Sequence, residues 1–117
     1  MSLEVISINS ILVSIKTLLN IRDDDTAFDN ELILYINSAL SILTTLGVGP
    51  TDGFFITGSS ETWDMFLASE HALDLVKSYV HLKVRIMFDP PTGSVLTAFQ
   101  GLIAEYEWRI NAFSSEK

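Results

Sequence analysis

The 117-residue chain has no cysteine. That excludes a disulfide framework, a thiolate metal site and a cysteine nucleophile, and it leaves a reducing compartment open. Basic side chains are scarce: seven Lys and Arg stand against fifteen Asp and Glu, for a formal charge of −8. A protein that wraps nucleic acid takes most of its affinity from Lys and Arg on phosphates, so this balance argues against that class. No apolar run approaches the roughly 18 residues of a membrane span. The first residues also lack the basic region and small-residue cleavage site of a signal peptide, so neither a membrane nor an export route is expected.

What the chain does have is apolar content. Hydrophobic residues make up 48% of a length typical of one domain, ample for a packed core. A chain this short cannot hide every large side chain, and leftover apolar surface marks partner sites. A subunit of an assembly is the class this composition favours.

The apolar spacing is helical almost throughout. Ile8, Ile11, Leu12, Ile15, Leu18 and Leu19 follow the i, i+3, i+4 pattern, and Asn20 with Asp23, Asp24 and Asp25 ends that first helix. Thr26 stands three residues before Asp29, a capping-box pattern that predicts the start of a second helix. Leu32, Ile36, Ala39, Leu43 and Leu46 form its stripe, with Ile33, Tyr35, Leu40 and Ile42 beside it, which predicts burial on two sides. From Gly47 to Ser60 glycine and proline break the pattern, and Phe54, Phe55, Ile56 and Thr57, the only strand-like run, read as a loop pinned by its aromatics, with one arm of a small hairpin as the alternative. A short helical segment is expected within Glu61 to Leu67. Ser69 then caps a long helix with Leu73, Val76, Val80, Val84 and Met87 on one face and Leu75, Tyr79, Leu82 and Ile86 on another. Asp89-Pro90-Pro91 stops it, because the residue before proline is pushed out of the helical region. Ser94 is the expected cap of a last helix with Val95, Phe99, Leu102, Tyr106 and Ile110 on one stripe, and Trp108 falls off that stripe. The expected fold is all-α: a small bundle of four main helices, with the Gly/Pro-containing loop between the second helix and a short helix before the third.

No catalytic set can be assembled, and no metal or other cofactor is expected. His71 and His81 do not share a helical face and have no companion ligands, so structural, hydrogen-bonded histidines are the better reading. The acidic turn lacks the alternating oxygen ligands and central glycine of a calcium loop, and carboxylates near a helix N-terminus are stabilised without metal. Glu105 and Glu107 lie on different faces and cannot work as an acid–base pair. Lys77, Lys83 and Arg85 are spread around their helix, which favours pairing with surplus acids on neighbouring helices or subunits over phosphate binding. Trp63 and Trp108 are each readable as core or as interface anchors, with Trp108 evenly balanced.

Several fragments, in order, are distinctive together: Leu18 to Asp25, Ile36 to Ala39, Leu46 to Pro50, Thr62-Trp63, Tyr79 to Pro91, and Glu107 to Ile110. On these the chain resembles the head-tail connector, or head-completion, proteins of long-tailed phages and of Gram-positive prophages, over nearly its whole length. The resemblance implies one helical connector domain over residues 1–117, without enzymatic activity or small-molecule substrate. It implies a structural subunit that forms a homo-oligomeric ring below the portal, extends the DNA channel and docks the next connector or tail-completion protein. DNA would pass without specific binding, helped by a negative lumen. The expected location is the head-tail junction of the virion, after assembly in the host cytoplasm. Trp108, Tyr35, Ile42, Lys83, Arg85, Phe54 and Phe55 are the expected interface residues, and the loop from Gly47 to Ser60 is expected to reach a neighbouring subunit or the channel, or else to cover the bundle.

The alternative is a small acidic regulator or DNA mimic that binds a basic protein. Its charge would have to gather on one face, whereas the fifteen acids are scattered along the chain.

Overall fold

Ser10 starts the helix Ile11–Leu18 by remaining extended and accepting the Val13 N–H on its hydroxyl at 3.3 Å. The computed structural model describes residues 9–67 and 73–115. Its helices are α1 (Ile11–Leu18), α2 (Asp29–Thr45), the single-turn α3 (Trp63–Phe66), α4 (Leu73–Phe88) and α5 (Gly93–Ser115). No strand occurs among the described residues, and an isolated bridge joins Ser10 to Thr62. The all-α bundle of four main helices is the fold that the periodicity predicts. Ile8, Ser69 and His71 lie outside the described residues.

α1 closes as a left-handed cap. Asn20 takes φ 62°, and the Ile21 N–H donates to the Lys16 carbonyl at 2.8 Å. The capping box expected at Thr26 and Asp29 does not form. Phe28 occupies the N-cap position of α2 without a side-chain cap, because the Asp29 carboxylate is engaged by Lys16 instead, at 2.9 Å. Asp25 organises the preceding turn, its Oδ1 accepting the Ala27 N–H at 3.1 Å. α2 ends in a second left-handed cap at Gly47, where Val48 N–H donates to the Leu43 carbonyl at 2.9 Å.

The core is built around α4, which packs against both α2 and α5 and touches α1. Leu32, Ile36, Ala39, Leu40 and Leu43 of α2 meet Val76, Tyr79, Val80 and Val84 of α4, all fully buried, with Ile11 and Ile15 of α1 in the same cluster. α3 closes one end. Trp63 and Phe66 are buried, and the indole N–H donates to Ser14 Oγ of α1 at 2.9 Å. Each such side chain contributes about 1.5–3 kcal/mol of burial, and the bond to Ser14 removes the cost of a dry N–H.

α5 runs 23 residues yet, among the described helices, makes its substantial contact with α4 alone. The residues it buries are Ile103 and Ile110, with Leu96, Phe99, Tyr106 and Glu107 half-buried. The expected stripe is therefore displaced by one residue in its first half. Leu96 and Ile103 face α4, while Val95 and Leu102 are exposed. The helix begins at Gly93, so Ser94 lies inside its first turn. Leu18, placed on the apolar stripe of α1 by spacing, is also largely exposed because the chain leaves the helix there.

Candidate protein interface

The loop from Gly47 to Ser60 is pinned onto the bundle. Asn37, in the middle of α2, uses both ends of its amide. Its Nδ2 donates to the Ile56 carbonyl at 3.0 Å, and its Oδ1 accepts the Ile56 N–H at 2.7 Å. Ile56 is thereby pressed into the core, together with Val48 earlier in the loop. Gly49 takes φ +81°, and a Cβ there would fall 2.5 Å from Phe66 Cε1, so the loop backbone lies directly on the buried ring. Phe54 packs against Phe66 with ring centroids 5.4 Å apart.

The far end of the loop closes on Glu61. Its carboxylate accepts from the Thr57 hydroxyl at 2.7 Å, the Thr57 N–H at 3.0 Å and the Gly58 N–H at 3.3 Å. What burial the Glu61 carboxyl has pushes its pKa up, but the hydrogen bonds from Thr57, Gly58 and its own N–H outweigh this and hold it below the ordinary value. The loop is thus a cover over the bundle. From that fixed platform Phe55 projects with 67% of its surface exposed.

The other outward aromatic is Trp108, 73% exposed on α5. It is not part of the core, whereas Trp63 is. At about 100° per residue Val95, Leu102 and Phe113 share one line along α5, and Trp108 stands about 140° away from it. All four are exposed, so α5 carries apolar surface on two sides of the face it packs on α4.

The other expected interface residues are partly committed to the protein itself. Tyr35, Ile42 and Phe54 are half-buried and pack against the core. Arg85 Nε donates to the Asp89 carbonyl at 2.8 Å, and its guanidinium lies 6.0 Å from the Phe99 ring centre. That contact fastens the Asp-Pro-Pro corner between α4 and α5. Lys83 lines an open groove of about 220 Å³ between α4 and α5, with Ile86 and Met87 on one wall and Gln100 and Ile103 on the other. Lys77 pairs with no acid among the described residues; its ammonium sits 5.8 Å from the Trp63 ring centre.

Two polar elements carry no signal in the periodicity. Lys16 is 2% exposed, ion-paired with Asp29 and donating to the Asp23 carbonyl at 3.1 Å, so it ties the acidic turn to α1. A lysine four residues after Leu12 and three before Leu19 is the available clue. Asn37 is the other, and its clue is a poor helix former standing between apolar Ile36 and Ala39. His81 departs from the expected hydrogen-bonded histidine, since its Nε2 is buried without a partner. Burial, and then the Arg85 charge, hold its imidazole below the ordinary histidine range. No cluster of three or more metal-ligating side chains occurs among the described residues, and none of the helices described is long and apolar enough to cross a membrane.

A family model described as phage connector protein matches residues 11–117. No curated protein and no solved structure matches the chain.

Proposed function

Since the chain belongs to the phage connector protein family, a structural family of the virion, we propose that it is a ring-forming subunit of the head-tail junction. In this reading identical copies assemble below the portal, extend the channel through which DNA passes, and offer a docking surface to the next connector or tail-completion protein. The observation that carries it is Trp108, a tryptophan 73% exposed on a long helix that uses one face for its own fold. Exposed tryptophans on rigid elements are the usual anchors of protein interfaces. Phe55, held out by the Asn37 clamp, is a second anchor on a different part of the surface. Two separate anchors suit a subunit with a neighbour on each side.

The charge fits the same role. Exposed acids lie in the turn after α1, on α2 at Glu31, on α3 at Asp64, on α4 at Asp74 and on α5 at Glu105. Such a spread lowers the affinity for passing DNA without marking one face for a basic protein.

Light scattering after size exclusion over a concentration series, with negative-stain imaging of any large species, tests the proposal. Closed rings with a central hole are expected, and Trp108→Ala should weaken them. A compact monomer at every concentration that binds neither portal nor tail-completion protein would overturn it.

A further inference from the structure

Among the described residues Lys83 stands apart from every other basic side chain. Lys16, Arg22, Arg85 and Arg109 each have a carboxylate within 4.0 Å, and Lys77 has the Trp63 ring. Lys83 has neither, in a chain with a formal charge of −8. It sits half-buried in the groove between α4 and α5, whose remaining walls are Ile86, Met87, Gln100 and Ile103. A cation over an apolar trough fits a partner element bearing one apolar side chain and one carboxylate.

The chain carries such an element on its own surface. Leu34, 63% exposed, is the most exposed Leu, Ile or Val side chain among the described residues, and Glu31 precedes it by one turn on the outward face of α2. Glu31 is exposed and has no ion pair among the described residues. Elsewhere on that face the hydroxyls of Ser38 and Thr45 bond back to the carbonyls of Leu34 and Ser41 at 3.1 and 3.2 Å, and Ser41 is small. The face is therefore a smooth ridge with one knob and one acid.

We propose that the α4–α5 groove of one copy receives the outward face of α2 of a second copy, with Leu34 against Ile86, Met87 and Ile103 and with Glu31 paired to Lys83. This rests on the reading of the chain as a ring subunit and identifies which surfaces meet. Because α4 packs between α2 and α5, the two surfaces are distinct, and the contact is head-to-tail, the kind that closes into rings. It also places opposite charges together where copies of an acidic chain would otherwise repel.

Charge exchange tests it. Wild type, Lys83→Glu, Glu31→Lys and the double variant are compared by light scattering across concentration, with circular dichroism to verify that each is folded. Each single reversal should weaken self-association about tenfold or more, and the double variant, whose net charge equals that of the wild type, should recover most of the loss. Leu34→Ala should weaken it without any change of charge. Single variants that assemble like wild type, or a double variant no better than the weaker single, would overturn this pairing while leaving the ring itself standing. A wild type that never self-associates would overturn both.

Discussion

The hydroxyl of Tyr79, on α4 and fully buried, donates a 2.7 Å hydrogen bond to Oε2 of Glu107 on α5. It links the helix at the centre of the core to the long helix that carries Trp108. Burial first, then the hydrogen bond to Glu107 and its negative charge, push the phenol's pKa well above the ordinary tyrosine value. Tyr79→Phe should cost about 1–2 kcal/mol, since a hydrogen bond to a charged acceptor is lost while half-buried Glu107 can recover water. The sign of the pH dependence follows. A raised folded pKa gives stability that is present below about 10 and lost as pH rises beyond it. Thermal melts from pH 8 to 11 should therefore show an alkaline decline in the wild type that is shallower in Tyr79→Phe. Equal slopes would mean that the phenol is not held as described.

The pair Lys16 and Asp29 is asymmetric, at 2% and 26% side-chain exposure. Removing the acid leaves a buried ammonium held by the Asp23 carbonyl alone, whereas removing the lysine leaves a carboxylate whose Oδ1 is buried but whose side chain is a quarter exposed and can turn toward water. Asp29→Ala should cost about 3–5 kcal/mol and Lys16→Met about 1–2 kcal/mol. The double variant should be less damaged than Asp29→Ala alone. Urea titrations of the three variants read this order directly, and equal losses for the two single variants would contradict it.

The helices were legible because their chemistry is local. α4 ends at Phe88, as Asp89 before Pro90 requires, and the turn that closes α1 passes through Asn20 in the left-handed conformation that asparagine tolerates. The rotation of α5 was less legible. Apolar residues occupy a wide arc of that helix, so spacing alone could not choose between Val95 with Leu102 and Leu96 with Ile103. Contact with α4 decides it. The polar fasteners were not legible, because each joins residues distant in sequence. Lys16 reaches Asp29, Asn37 reaches Ile56 and Tyr79 reaches Glu107, and periodicity records which face is buried without recording what a buried polar group will meet. For the interface, spacing separated Trp108 from the stripe of α5, but the lone cation at Lys83 is evident only from the partners of the other Lys and Arg side chains among the described residues.

Asn37 supplies both a donor and an acceptor to the backbone of Ile56. Asn37→Ala should lose about 2–3 kcal/mol, and Asn37→Asp should be no milder, because a carboxylate cannot donate to the Ile56 carbonyl. Hydrogen exchange is the sharper readout. Protection of the Ile56 amide should fall in both variants, while the central turns of α2 and α4 stay protected relative to global stability. An Ile56 amide as slow as in the wild type would show that burial, not the clamp, holds the loop.

His81 gives the expectation at acidic pH. Its Nε2 is buried without a partner, and burial, assisted by the Arg85 charge, lowers the affinity of the folded protein for the proton. The unfolded chain therefore binds that proton first. The stability associated with a neutral His81 is complete above the ordinary histidine value of about 6.5 and is lost as pH falls through the lower folded value. His81→Leu removes both the proton site and an unpartnered nitrogen. It should be neutral to stabilising by up to about 1 kcal/mol at pH 7, and its melting temperature should fall less than that of the wild type between pH 7 and 5. Every other side chain is common to both proteins, so the difference between the two curves isolates His81. Parallel curves would mean that the His81 imidazole takes up its proton in the folded chain as readily as in the unfolded one.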